Sequence, residues 1–174
     1  LNPYPNIQLY FNPLTYSVSF KNKRPLLRTD KFNGFIIGFN SCRPKSLGEV
    51  NLKKMDNDFV PSIDPRYLSD ERDIHDLYST FDFVRKFSAN QNINKIIESP
   101  VSIDPIKSSD EELLDHFKSK STTIYHPCGT CRMSKSIQEG VVSEKLKVHG
   151  LDNLWIVDAS IMPNITSGNI NANV

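Results

Sequence analysis

The sequence predicts an α+β fold. Most strand-like segments fall in the first 65 residues, and helical periodicity runs between Ser69 and Phe117. From Thr123 glycine, small residues and chemically capable side chains crowd together around one further strand-like run. Strands and helices segregated along the chain, rather than alternating, point to this class. A length of 174 residues suffices for one domain with a core, or one domain and part of another. A boundary is expected near residue 120, giving regions 1–120 and 121–174.

Taken in order, Ile7 to Phe11 alternates and reads as a short strand among Pro- and Asn-rich loops. Gly34 to Phe39 is a continuous apolar run that suits a buried strand. After a break at Arg43-Pro44-Lys45-Ser46, Gly48 to Leu52 alternates like a strand with one wet face. Val60-Pro61-Ser62-Ile63-Asp64-Pro65 is expected to be a rigid extended connection, because each proline drives its predecessor out of the helical region. A helix follows, with Ser69 placed to cap it and Asp70, Glu71 and Asp73 suited to its positive end. Its apolar stripe is Ile74, Leu77, Tyr78, Phe81 and Val84. Ser109 and Glu112 form a capping box for a second helix, whose buried face is Leu113, Leu114 and Phe117. Leu154-Trp155-Ile156-Val157 reads as a fully buried strand ending at Asp158, and Ser167 to Ala172 as a loop turning into a helix start.

Bulk properties exclude several functions. A net charge of +1 without a long basic run argues against a nucleic-acid partner. Runs such as Phe35-Ile36-Ile37 are far too short to span a bilayer. The three cysteines, Cys42, Cys128 and Cys131, are too few and too odd for a disulfide framework. The chain opens without Met or a basic leader, so both ends are expected to be cuts in a longer protein. Localisation is therefore not legible at the N-terminus, and a secreted setting is only a working expectation.

The chemistry is concentrated at the C-terminal end. Tyr125-His126-Pro127-Cys128-Gly129-Thr130-Cys131-Arg132-Met133 comes first, followed by Gly140-Val141-Val142 and Leu146-Lys147-Val148-His149-Gly150. Leu154 to Pro163 and Ser167-Gly168-Asn169-Ile170-Asn171-Ala172 complete the series. In order and spacing these blocks resemble the C-terminal signature of the glucose–methanol–choline oxidoreductase family. Arg43 to Val50 and Pro61 to Asp70 resemble that family's substrate-domain opening, so the likeness runs from about Arg43 to the end. The Ser-Gly-Asn-x-Asn-Ala form leans toward insect members.

The resemblance implies a substrate-binding region with an antiparallel sheet and helices. It also implies a C-terminal strand and helix start that return to an FAD-binding α/β domain. The implied activity is oxidation of the CH–OH group of a small alcohol or sugar, with FAD as cofactor and an electron acceptor left open. Such chemistry needs a base for the hydroxyl proton, a donor for the developing alkoxide and a sink for the hydride. His126 is the natural base, because imidazole titrates near neutral pH. Asn169 does not titrate there, but it can hydrogen-bond and orient the substrate oxygen. The family carries His or Asn at that position, so the base role falls on His126 alone. The resemblance places Asp158 and Ala159 along the flavin's ribityl and diphosphate region, and Asn171 and Ala172 by its pyrimidine edge. A helix start there would favour an anionic reduced flavin. The glycine-rich dinucleotide fingerprint is absent from the chain. Ser143 and Val174 depart from the usual Asp and Pro. A hydroxynitrile lyase on the same scaffold, or a non-catalytic relative, are the alternatives.

Other residues have simpler readings. Cys128 and Cys131 lack the further ligands a zinc site needs, so no metal is expected, and Gly129-Thr130 fits a tight turn. Cys42 reads as a small buried residue. His75 and His116 read as helix-surface residues, and His149 as a packing or hydrogen-bonding one. Phe81, Phe83 and Phe87 read as core, and Asp64 and Asp70 as turn and cap residues. The sequon at Asn164 is expected to be unoccupied.

Overall fold

The structure is a computed structural model that describes residues 4–21 and 24–174. Strands β1 (Ile7–Asn12), β2 (Tyr16–Lys21), β3 (Arg24–Thr29), β4 (Ile36–Ser41), β5 (Glu49–Met55) and β6 (Asp58–Asp64) come first. Helices α1 (Glu71–Ala89), α2 (Gln91–Asn94) and α3 (Asp110–Lys120) follow, then short 3₁₀ turns at Ala159–Ile161 and Ile170–Asn173. The fold is α+β. Its strands pair antiparallel as three separate ribbons, β1–β4, β2–β3 and β5–β6.

The β1–β4 ribbon organises the rest. Its register runs from Ile7 opposite Ser41 to Asn12 opposite Ile36. Side chains alternate across a strand, so the ribbon has two distinct faces. On one, Phe39 stacks on Phe117 at 5.1 Å and meets Phe81 edge-on at 6.2 Å. The other carries Gln8, Tyr10, Gly38 and Asn40. The strand foreseen at Gly34 to Phe39 therefore begins two residues later, and β4 is half-buried throughout rather than fully buried. The reason is its position in a two-stranded ribbon, where only one face meets helices.

Helix α1 starts one residue later than the sequence suggests. Asp70, not Ser69, is the N-cap, accepting from the Arg72 N–H at 3.0 Å. The Ser69 N–H is taken by the Arg66 carbonyl, and the Asp70 N–H by Ser46 Oγ at 3.1 Å, which holds Asp70 outside the helix. Leu77 and Phe81 join Leu113 and Leu114 of α3 in the core, with Ile74, Tyr78 and Phe117 packed around them. Val84 is half-buried, and Phe83 is 47% exposed, which corrects its assignment to the core; it only stacks on Phe87 at the surface. The capping box of α3 is present, Glu112 N to Ser109 Oγ at 3.2 Å and Ser109 N to Glu112 Oε2 at 2.8 Å. Arg85 staples the two helices, reaching Asp110 at 2.6 Å and the carbonyls of Pro105 and Ser108. Helix α2 escaped the sequence reading because four residues are too short to show a period.

The β5–β6 hairpin corrects two expectations. Val60 to Asp64 is paired strand, not a connection, with Pro61 opposite Leu52. Proline is tolerated because both strands of a two-stranded ribbon are edges, so its missing N–H can lie on the unpaired side. The expected wet and dry faces are also absent: Val50, Leu52, Phe59 and Ile63 are all at least half exposed. Gly48 closes the base of this hairpin, where a Cβ would fall on the Asp64 carbonyl and within 2.6 Å of Pro65 Cα.

Most of this depends on Asp73. Only 4% exposed, its carboxylate accepts from the backbone N–H groups of Lys45 and Ser46, both at 2.8 Å, and from the Ser46 hydroxyl. A first-turn acid on α1 thus ties the helix to the loop between β4 and β5. Elsewhere the chain is loosely covered. Its accessible surface is 13,582 Å², against about 8,600 Å² for a compact monomer of its 19.8 kDa mass.

Two outcomes follow. Asp73→Ala removes the acceptor of two part-buried N–H groups and one hydroxyl and is expected to cost about 2 kcal/mol, read from thermal unfolding followed by circular dichroism. Hydrogen bonding to Arg72 holds the Asp70 carboxyl down at about 2, against an ordinary 3.8. A depressed folded pKa gives stability that is full above the unfolded value and lost below it. Wild-type helicity should therefore gain an extra acid-labile component between about pH 4 and 2 that Asp70→Asn lacks, visible in an acid titration of ellipticity.

Candidate active site

The C-terminal region builds its site from loops rather than from regular elements. Gly129 adopts φ +89°, and the Arg132 N–H closes the turn on its carbonyl at 3.2 Å. The Gly129-Thr130 stretch is thus the tight turn its sequence suggests, and Cys128 and Cys131 flank it as free thiols. The segment leaving the turn binds the segment after Asp158: Cys131 N to Ser160 O at 3.0 Å, Met133 N to Ile161 O at 2.7 Å. Val142 is fully buried beneath it, bridging Met133 and Val148. His149 donates its backbone N–H to Val141 O, and its Nε2 lies 3.2 Å from Ser134 O, the structural role expected of it. Backbone bonds therefore knit the loops around residues 129–133, 140–149 and 158–162 into one platform.

Leu154 to Val157 joins this platform but is not a buried strand. Val148 N bonds Leu154 O, Ile156 N bonds Leu146 O, and Trp155 makes a single bridge with Lys147. Leu154, Trp155 and Val157 are 47%, 53% and 73% exposed. Their partner is a loop, which can satisfy the backbone but cannot cover apolar side chains as a sheet layer does.

The expected site residues fall on two supports. His126 is half-buried, directly after Tyr125 at φ +61°, and its imidazole makes no hydrogen bond to another described residue. It enters the turn that is fixed to Ser160 and Ile161. Asn169 is exposed at the end of a different loop and is held from the β1–β4 ribbon: the Tyr10 hydroxyl donates to its Oδ1 at 3.3 Å. Two residues earlier, Ser167 sits at φ +44° and its Oγ accepts from Arg43 Nε at 2.7 Å. The Arg43 guanidinium lies 4.5 Å from the centre of the Tyr4 ring. Ile170, next to Asn169, is buried at 3%. No hydrogen bond joins His126 to Asn169 among the described residues. Tyr10, Arg43 and Ser167 were not singled out from sequence, because each contact spans more than 120 residues and leaves no local signature.

The residues assigned to a cofactor lie at the surface. Asp158 caps the first 3₁₀ turn, accepting from Ser160 N at 2.8 Å and from Ser160 Oγ on the same oxygen. Those two bonds, side chain first, hold the carboxyl below its usual range, so it is ionised at neutral pH. Its Oδ2 keeps no protein donor among the described residues and can accept from a hydroxyl. Ala159 is half-buried, and Asn171 and Ala172 are exposed within the four-residue turn Ile170–Asn173. One such turn offers free backbone N–H groups but little macrodipole. Of the remaining polar candidates, His75 and Asn164 are exposed. His116 is half-buried rather than on the surface, and burial, with help from Lys120, lowers its pKa. Burial likewise pushes the Cys42 and Cys128 thiols up, making both poor nucleophiles.

These features define an α+β chain whose chemically capable residues gather on loops fixed by a backbone network. The sequence profile described as GMC oxidoreductase, C-terminal part, matches residues 44–174. The chain belongs to that family. It is 37% identical to an alcohol dehydrogenase [acceptor] of Pseudomonas putida and 33% identical to an oxygen-dependent choline dehydrogenase of Chromohalobacter salexigens, over 97% of its own length in each case. Among solved structures it superposes on pyridoxine 4-oxidase from Mesorbium loti with a TM-score of 0.72 and 30% identity, covering 97% of this chain and 32% of that one. On a formate oxidase of Aspergillus oryzae the TM-score is 0.71 at 31% identity, covering 82% of this chain and 25% of that one. The chain spans 29% of the length of those two dehydrogenases.

Gly129→Ala puts a β-carbon on a left-handed backbone and 3.4 Å from the Met162 carbonyl. We expect a loss of roughly 1–2 kcal/mol. Faster proteolytic nicking between His126 and Met133, read by mass spectrometry, checks that the damage is local.

Proposed function

We propose that this chain supplies the catalytic base, its hydrogen-bonding partner and one wall of the substrate site in an FAD-dependent oxidoreductase acting on the CH–OH group of an alcohol or sugar. Residues 1–120 form the substrate-facing part, and residues 121–174 the catalytic segment that meets the flavin-binding part. The observation that carries the reading is His126: a half-buried imidazole with no hydrogen-bond partner among the described residues, three residues ahead of a glycine turn whose Cys131 and Met133 N–H groups bond Ser160 and Ile161. A histidine used for structure spends its ring nitrogens on neighbours, as His149 does. One used as a base keeps a nitrogen for substrate.

The residues present suit the flavin. Asp158, held ionised with Oδ2 unspent, is placed to accept from ribityl-type hydroxyls, and Ala159 beside it leaves room for a close approach. The exposed amide of Asn171 and the backbone at Ala172 offer donors and acceptors for a polar ring edge. FAD, when bound, supplies the hydride acceptor. His126 takes the hydroxyl proton, and Asn169 hydrogen-bonds the oxygen as it gains negative charge. The surface excess over a compact monomer, together with a span of 29% of its relatives, supports a chain that works against a larger flavin-binding body.

The test is anaerobic flavin reduction in the FAD-loaded protein that contains this chain, against a panel of alcohols and sugars. His126→Ala should slow the limiting rate roughly 10²–10⁴-fold while FAD content is retained. A protein that binds no FAD, or one reduced equally fast without His126, would overturn the reading. Cyanohydrin cleavage with no flavin reduction would replace it with a lyase.

A further inference from the structure

A carboxamide has two ends of opposite character: Oδ1 accepts and Nδ2 donates. Only the donating end stabilises an oxygen that is losing its proton, and the accepting end would repel it. For Asn169 the orientation of the amide is therefore a functional variable, and its own backbone does not set it, since the residue is exposed and its side chain makes no capping bond. We propose that Tyr10 is the positioning residue that sets it, holding Oδ1 so that Nδ2 faces the reacting oxygen. This rests on the role given to Asn169 above.

Three observations carry the proposal. The first is direction: the Tyr10 hydroxyl donates to Asn169 Oδ1. Burial, with a smaller contribution from Cys42, raises the phenol above its ordinary 10.0, so it is a protonated donor across the working pH range. The titratable groups around it are Cys42, itself pushed up by burial, and Arg43 beside Cys42. The second is rigidity. Tyr10 lies within the six-pair register of the β1–β4 ribbon, directly opposite Gly38. The ring packs over this glycine: a Cβ at Gly38 would make ordinary contact with Tyr10, 3.8 Å from its Cβ and 4.0 Å from its Cδ2. The third is redundancy. The Arg43–Ser167 bond and the burial of Ile170 already hold the loop on either side of Asn169. The 3.3 Å contact to an exposed side chain is therefore not needed to place the backbone. What it can fix is which way the amide points.

The test uses the FAD-loaded protein containing this chain and stopped-flow anaerobic reduction by its best alcohol. Tyr10→Phe should slow the limiting reduction rate roughly 10-fold, with apparent substrate affinity changing less than about 3-fold. In an Asn169→Ala background the same substitution should change the rate less than about 2-fold, because its target is gone. Losses that multiply would show Tyr10 acting independently and overturn the proposal, as would an unchanged rate in Tyr10→Phe. A variant that preserves the ring's shape gives a second readout. With 3,5-difluorotyrosine at position 10 the phenol ionises near neutral pH, and a phenolate accepts from Nδ2 and turns the amide round. The rate should then fall as pH rises through that ionisation, a limb the unmodified enzyme shows only above pH 10 if at all. Its absence would also overturn the assignment. Failure of the underlying reading looks different: wild-type flavin that no alcohol reduces, or His126→Ala as fast as wild type, removes both together.

Discussion

The buried carboxylate of Asp73 is the contact on which the rest hangs. It lies in the first turn of α1, yet its acceptor capacity goes outward, to two backbone N–H groups and one hydroxyl of the 45–46 loop. A buried anion is tolerated only when its lone pairs are filled, and charge-assisted bonds are about twice as strong as neutral ones. The loop is thus fixed by the group that most needs fixing. Arg43 leaves the same loop and holds Ser167, and β4, which feeds it, is registered with Tyr10 of β1. A chain of short, directional contacts runs from the helical core to the loop end where Asn169 sits.

What was legible in the sequence follows from the range of the forces involved. The capping box of α3, the stripe on α1 and the turn at Gly129 are local, set by residues within one or two turns of each other, and each lies where its pattern puts it. The motif order around His126 and Asn169 was legible as a resemblance. Ser69 and Asp70 compete for one cap, and the outcome depends on Ser46, more than 20 residues away. Leu154 to Val157 has the composition of a buried strand, but composition does not say whether a sheet is there to receive it. Pro61 and Pro65 announce extended backbone, but not whether another strand pairs with it. Tyr10 and Arg43 carry no local mark, since their partners lie at the far end of the chain.

The tasks proposed for the two central side chains differ, and their supports differ with them. A base must keep a nitrogen unspent, and the proposed base His126 lies between a left-handed Tyr125 and a glycine turn whose Cys131 and Met133 bond Ser160 and Ile161. A hydrogen-bond donor must point one way, so Asn169 is held through its side chain. Asp158 follows a third logic: one oxygen is spent on Ser160 so that the carboxylate stays ionised, and the other is left open. In each case the group is positioned without consuming the atom it would use.

The same separation of backbone from side chain explains the unusual surface. In the C-terminal platform the peptide groups are satisfied within the chain, through bonds such as Val148 N to Leu154 O, while Leu154, Trp155 and Val157 face outward. The β5–β6 hairpin repeats this, with a complete seven-pair register and apolar side chains on the surface. Unpaired peptide groups are costly in any buried setting, so they are settled locally before burial. The apolar side chains remain as unspent driving force. The excess over a compact monomer is about 5,000 Å². Loop geometry at residues 129–133 and at Asn169 is therefore written into the chain's own hydrogen bonds, whereas the side chains of Leu154, Trp155 and Val157 stay exposed.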